Sequence, residues 1–283
     1  MKRARSSLPS DATVDVAGGD LLAAYSAMAR MWREETFVDC QVQVEGRTFK
    51  AHRLVLCAAS DYMKSCFDGG LAESESASVT LKDMSSSTFE ALLTWCYEGH
   101  SRIDEALLPE LLAAASRLQV APLQDAAEGM IIARLTPENC ADAWVLGDRL
   151  ELVRLADAAR ALALAAFVEV SSSDGFLGLP VKALESLMAS DELVTSGEEC
   201  VFEALKRWLN AQLAGSPTAE EVAGLLAQVR WPLLKLYLIL SYRTVSYRIV
   251  SYLILSYLIL GPLAFAEALV RRGKCQLRPA HCG

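Results

Sequence analysis

Histidine is scarce, and its scarcity removes much chemistry from consideration. The 283-residue chain has three: His52, His100 and His281. Nothing in it matches a nucleophile elbow, a phosphate-cradling glycine loop or a zinc-ligand spacing. Eight cysteines are present, yet no C-x-x-C pair. Cys40, Cys57, Cys66 and Cys96 fall at apolar-face positions of predicted elements, which suits buried, reduced thiols of an intracellular protein better than a disulfide framework. Cys275, His281 and Cys282 near the end are too sparse for a metal site. Positive charge is also in deficit. With a net charge of -8 and a pI of about 5.1, no overall field draws nucleic acid to the chain. The basic cluster Lys2-Arg3-Ala4-Arg5 has no apolar run behind it, so it is not a secretory signal. Neither catalysis nor a cofactor nor a metal is expected; what is left is binding.

The chain is organised around VDCQVQVEGRTFKAHRLVLCAASDYMKSCFD, residues 38–68. Val38, Cys40, Val42 and Val44 alternate with polar residues, the period-2 mark of a strand buried on one face. Glu45-Gly46 can turn the chain so that Thr48 to Ala51 returns as a hairpin partner. From His52 the apolar residues fall in helical clumps, with Ser60 as N-cap between two short helices and Gly69-Gly70 stopping the second. Upstream, 20–33 places Leu21, Leu22, Tyr25, Met28 and Trp32 on one helical stripe capped by Asp20. So short a helix is marginal in water, and its stripe must dock on something.

Downstream, Ser78 to Leu81 reads as a strand. Ser87-x-x-Glu90 reads as a capping box opening a helix (Phe89, Leu92, Leu93, Cys96) that Gly99 ends. Residues 107–118 and 122–134 give two further helices, with Pro109 and Pro122 near their starts. Thr136-Pro137 looks like another helix start. Leu155, Ala159, Leu162 and Ala166 mark one face of a helix running to Val170, and further helices are expected near 180–189 and 198–213. From Tyr237 the pattern breaks into YLILS-YRTVS-YRIVS-YLILS-YLILG, five copies of a five-residue repeat. Five matches neither the strand nor the helix period nor any solenoid repeat, and the segment is aggregation-prone if exposed.

Asp39, the hairpin, His52-Arg53-x-Val55-Leu56 and Ser60-x-Tyr62-Met63-x-x-x-Phe67 together resemble the core of a BTB/POZ domain, whose pattern runs D-V-x-L-x-V, F-x-A-H-K/R-x-V-L-A, S-x-Y-F-x-x-M-F. Cys40 stands where Val is usual and Cys66 where Met is usual; both keep an apolar side chain. TPENCADAWVLGDRLELVRLADAA, LPVKALESLMASDEL and EECVFEALKRWL are similar to a BACK domain, the helical module after BTB in Kelch-like proteins. Gly147 falls where that family has Ala, at up to about 1 kcal/mol of helix propensity.

The resemblance implies an α+β BTB/POZ domain, then a mostly helical, incomplete BACK domain and a low-complexity tail. The parts are a disordered N-terminus (1–19), the BTB/POZ domain (20–135), a partial BACK domain (136–234) and the repeat and unassigned tail (235–283). It implies a homodimeric substrate adaptor for a cullin-3 ubiquitin ligase, without the Kelch propeller that would recruit the unknown protein substrate. Dimerisation would use the stripe Leu21, Leu22, Tyr25, Met28 and Trp32 together with Asp39 and Arg53, an acidic and basic pair in a partly buried pocket. Cullin would touch the hydrophobic-x-Glu motif Leu71-Ala72-Glu73, with Phe67 and Tyr97 near the same surface or in the core.

Two other functions compete: a BTB dimerisation scaffold or transcriptional co-regulator without cullin, and a membrane-tethered interaction protein. Residues 253–270 are apolar enough for a span, but Pro262 and Glu267 sit inside them and Arg243 and Arg248 interrupt the upstream extension. A cytoplasmic location is expected, with the nucleus second. The tail is expected to be dispensable, so that truncation near Pro217 should raise soluble yield and leave the dimer intact, with Leu225, Leu226 and Trp231 lying in an uncovered part of BACK.

Overall fold

Helical and strand periodicities alternate along the chain, and the computed structural model resolves them into a small sheet followed by helices. It describes residues 21–68, 77–212 and 217–229. The N-terminal segment, the Gly69 to Glu73 loop, Trp231, the pentapeptide repeats and the tail lie outside the described residues. The chain divides into two compact units, residues 1–104 with 117–120, and residues 105–116 with 121–283.

In the first unit α1 (Leu21–Arg33) precedes β1 (Cys40–Val44) and β2 (Arg47–Ala51). Glu45 and Gly46 both have positive φ (48° and 78°), as a tight hairpin turn following the strand twist needs. Helices α2 (Arg53–Ala59) and α3 (Asp61–Asp68) then carry the chain over to β3 (Ser78–Leu81) and α4 (Ser86–Glu98). The sheet order is β2-β1-β3, with Val42 opposite Phe49 in the antiparallel pair and opposite Val79 in the parallel one. A parallel neighbour requires a crossover, and the α2–α3 pair supplies it.

The inward phase of β1 is the one the alternation indicates: Cys40, Val42 and Val44 are buried, Gln41 and Gln43 exposed. Val42, Val44, Ala51 and Phe89 are fully buried and make the core, with Phe49 and Phe89 edge to face at 5.1 Å. Ser60 is the expected cap: its Oγ accepts the Met63 N–H at 3.0 Å and donates to the Leu118 carbonyl at 2.5 Å. Gly99 ends α4 in the left-handed region, φ 71°. The cap of α4, however, is Ser85 rather than Ser87. Its Oγ takes the Thr88 N–H at 3.2 Å, and the Glu45 carboxylate comes across from the hairpin to take the Ser86 N–H at 2.9 Å.

The second unit begins with a 3-10 turn, Glu105–Leu107, followed by α5 (Leu108–Arg117) and α6 (Ala121–Ile132). Then come α7 (Cys140–Arg149), α8 (Val153–Ala165), the short α9 (Phe167–Val170) and a second 3-10 turn, Gly175–Gly178. Helices α10 (Val181–Ala189), α11 (Glu198–Ala211) and α12 (Ala219–Gln228) complete it. Thr136 does not cap a helix. Thr136 to Asn139 form a turn closed by Asn139 Oδ1, which accepts the Thr136 N–H at 2.8 Å, and the helix starts only at Cys140.

The helix expected to run on to Val170 breaks at Ala166 (φ -117°, ψ 39°), and its buried face is Leu155, Ala159, Ala163 and Leu164. The break lets Phe167 turn inward, where it meets Phe176 at 6.2 Å. Leu225 and Leu226 are 0% and 3% exposed, so the expected uncovered surface does not exist there: α12 packs on α10. Its capping box, Thr218 with Glu221, is the sequence signal that marks this helix.

Candidate functional site

The segments around His52 bring together Trp32, Asp39, Arg53, Phe67 and Tyr97 among the residues singled out from sequence. The apolar stripe of α1 splits in two. Its C-terminal half docks on α4, where the Trp32 indole stacks on the Tyr97 ring at 4.6 Å and 4°. Met28 is half-buried and Ala29 buried, and Arg33 pairs with Glu98. Toward the other end Tyr25 stays 58% exposed. The side chains of Leu21 and Leu22 lie outside the described part.

Tyr97 is core, 4% exposed, and burial pushes its hydroxyl up to about 12. That hydroxyl accepts the His52 backbone N–H at 2.8 Å and also meets His52 Nδ1 at 2.8 Å, while His52 Nε2 reaches the Thr36 carbonyl at 3.0 Å. Phe67 is core as well, 6% exposed, with the Arg53 guanidinium 4.8 Å above its ring. Of the four residues assigned to cullin contact, Phe67 and Tyr97 are therefore packing residues in the chain as it stands. Leu71 and Glu73 fall outside the described residues.

Asp39 and Arg53 are brought together, but not as a carboxylate–guanidinium pair. The exposed Asp39 carboxylate takes the Arg53 backbone N–H at 2.7 Å. Asp39 thus caps α2, whose own N-cap residue, His52, makes no side-chain cap bond. The guanidinium turns instead to the Phe67 carbonyl at 3.1 Å, in the last turn of α3, where a cation offsets the negative end of the helix dipole. Each charge serves a helix terminus, with no bond between their charged groups.

Sequence reasoning missed Phe37 and Leu54. They are 83% and 77% exposed, and with Tyr25 and Met31 (39%) they are the large apolar side chains left in water in the described part of the first unit. Phe37 stands in the bend before β1 with a left-handed φ of 59°, so the inward phase of the strand does not extend to it. Phe37 and Leu54 flank Thr36 and His52, the residues that the hydrogen bond above joins. Large apolar side chains left in water are candidates for a surface that another protein covers.

Three of the described thiols are unsuited to covalent chemistry. Cys40 and Cys96 are pushed up to about 12 and Cys140 to about 11, in each case chiefly by burial, so these thiols stay protonated and are poor nucleophiles. The described cysteines are free thiols. Among the described residues no cluster of His, Cys, Asp and Glu could hold a metal ion, and no helix is long and apolar enough to cross a membrane. Cys275, His281, Cys282 and residues 253–270 lie outside them.

In the second unit a cavity of about 480 Å³ is lined by Leu177, Leu179, Pro180, Val181, Trp208 and Gln212 among others. Its polar groups are already engaged: Trp208 Nε1 donates to the Leu179 carbonyl at 2.9 Å and Gln212 Nε2 to the Leu177 carbonyl at 2.7 Å. A further residue unread from sequence is Glu128 of α6. Its buried carboxylate accepts the Leu155 N–H at 3.1 Å and the Arg154 guanidinium at 3.3 Å, capping α8 in place of Leu152, which makes no side-chain cap bond.

Comparison with known proteins bears on both units. The BTB/POZ domain model matches residues 28–135, and the model described as BTB And C-terminal Kelch, or BACK, matches residues 140–243. Among solved structures the BTB domain of zebrafish PATZ1 is similar, at 21% identity, over 41% of this chain and 98% of that one, with a TM-score of 0.37.

Proposed function

We propose, for a chain that is a BTB/POZ–BACK protein with the domain pair found in Kelch-like proteins, that it works as a homodimeric adaptor of a cullin-3 ubiquitin ligase. Both domains are protein-interaction modules, and the proposed role is assembly without catalysis. The proposal puts the protein in the cytoplasm, with the nucleus as second location, and leaves it to present an as yet unnamed protein substrate to the ligase.

The observation that carries the dimer is the set of exposed apolar side chains Tyr25, Met31, Phe37 and Leu54 on α1 and around His52. Removing large apolar groups from water contributes about 1.5–3 kcal/mol each. A second copy offers the same set, and two-fold pairing is the commonest way such a surface is closed. Placing charges in it by Phe37→Asp with Leu54→Asp is expected to halve the mass found by light scattering. Both positions are solvent-exposed, so circular dichroism should be unchanged. An unaltered dimer would overturn the assignment of this face.

The cullin assignment rests on the place of Leu71-Ala72-Glu73 between α3 and β3 of a BTB domain. Leu71→Asp puts a charge where an apolar anchor is expected. It should weaken cullin-3 binding by more than about 2 kcal/mol, roughly thirtyfold, in calorimetry on the whole chain. Full affinity in a folded variant would remove the motif. A wild-type chain that does not bind at all would favour the scaffold or co-regulator role, in which dimerisation alone is the function.

A further inference from the structure

We propose that the cavity of the second unit is the docking site of this chain's own first pentapeptide repeat, Tyr237 to Ser241, with the Tyr237 ring as the group that enters it. The cavity measures about 480 Å³, within the range of about 300–1,000 Å³ in which proteins hold ligands. Leu177, Leu179, Pro180 and Val181 give it an apolar wall. Its donors are turned onto the backbone: Trp208 Nε1 donates to the Leu179 carbonyl at 2.9 Å and Gln212 Nε2 to the Leu177 carbonyl at 2.7 Å. A carbonyl oxygen has a second lone pair, and Gln212 Oε1 is a further acceptor, so the cavity offers an entering group chiefly acceptors. An apolar body that ends in a hydroxyl donor suits such a place, and tyrosine is that side chain.

The chain supplies one within reach. Pro217, just ahead of α12, and Val181, the first residue of α10, both line the cavity, which therefore lies at the N-terminal end of α12. Over its length α12 carries the chain about 15 Å away. At Val229 the backbone is extended (φ -71°, ψ 131°), and Pro232 keeps α12 from running on. A side chain that returns to the cavity has to cover that distance again. Trp231, two residues on, spans at most about 7 Å and falls short. Tyr237, eight residues on, spans up to about 27 Å. It is also the first tyrosine after α12.

The BACK match supports the same assignment independently. It runs to residue 243, past the last described residue at 229, and takes in the whole first repeat before it stops inside the second. The first repeat thus belongs with the second unit, while the last three lie beyond the match. The cavity has area left to cover. Leu177 and Val181 are half-buried and Pro180 is exposed, whereas Leu179 and Trp208 behind them are at 1%. Leu236, Leu238, Ile239 and Leu240 around the tyrosine are apolar, and laying them over this rim removes both surfaces from water. A different polypeptide enters the cavity only by displacing the repeat.

Photo-cross-linking of the whole chain tests the proposal. With benzoylphenylalanine in place of Tyr237, irradiation should join that position to residues 177–181 or 208–212, as mapped by mass spectrometry. Mixing chains of natural and heavy nitrogen separates bonds within a chain from bonds between chains. A bond to the first unit, a bond between chains or no bond at all overturns the docking. Gly178→Leu gives a second reading. Gly178 lines the cavity, and a Cβ there would meet nothing within 4 Å, so the leucine finds room and takes up the space the tyrosine needs. Trypsin should then cut after Lys235 and Arg243, on either side of the repeat, about tenfold faster than in the unaltered chain, with cleavage after Arg272 as the unchanged reference. Equal rates after Lys235 and Arg243 in the two proteins overturn it as well.

Discussion

Gly147→Ala lowers the stability of the protein, against the sign that helix propensity gives. In an ordinary helix interior the change should gain about 0.4–1 kcal/mol. Here the glycine sits in α7 against Ala156 of α8. A Cβ at that position would lie 2.8 Å from the Ala156 backbone nitrogen, 3.1 Å from its Cα and 3.2 Å from its Cβ. Two of these three atoms are main chain and cannot swing aside as a flexible side chain would. Relief requires α7 and α8 to part, which loosens the fully buried Leu155, Ala159 and Ala163. Overpacking of this kind costs about 1–3 kcal/mol, or roughly 5 °C in the melting of a unit this size. Chemical denaturation of the two proteins side by side would show it. An alanine variant as stable as the wild type would mean that the helices separate freely.

A chain ended at Pro217 should lose the second unit altogether, whereas one ended after Val229 should keep it. Between the two lengths lies α12, which buries Val222 and Leu225 completely and leaves Leu226 and Val229 at 3% exposure. At about 1.5–3 kcal/mol for each large side chain returned to water, losing four removes about 6 kcal/mol or more. That is comparable with the whole stability of an ordinary domain. The cut would also bare Leu184, Leu187 and Met188 of α10, which are at most 2% exposed in the intact protein. Circular dichroism at 222 nm and size exclusion should find the shorter chain less helical and aggregated. Equal melting of the two lengths would show that α12 contributes nothing. The expectation from sequence counted everything past Pro217 as dispensable, and that stretch includes α12.

What the sequence determined by itself is what repeats along it. The alternation Cys40, Val42, Val44 established β1 and its inward face, and Ser78 to Leu81 gave the third strand within its observed limits. Ser60 and Gly99 announced a cap and a stop because their roles depend on the few residues beside them. The joint BTB and BACK patterns were legible for the same reason, being long local strings. The tertiary structure alone decided the partner of each polar group and the tolerance of each close approach. Asp39 meets Arg53 through a backbone N–H 14 residues away, and Glu128 caps a helix 27 residues downstream. Gly147, read from sequence as a flaw in a helix, proved to sit against the backbone of another helix. Periodicity records which side of an element avoids water. It carries no record of what stands on the other side, because that neighbour is placed by packing between segments far apart in the chain.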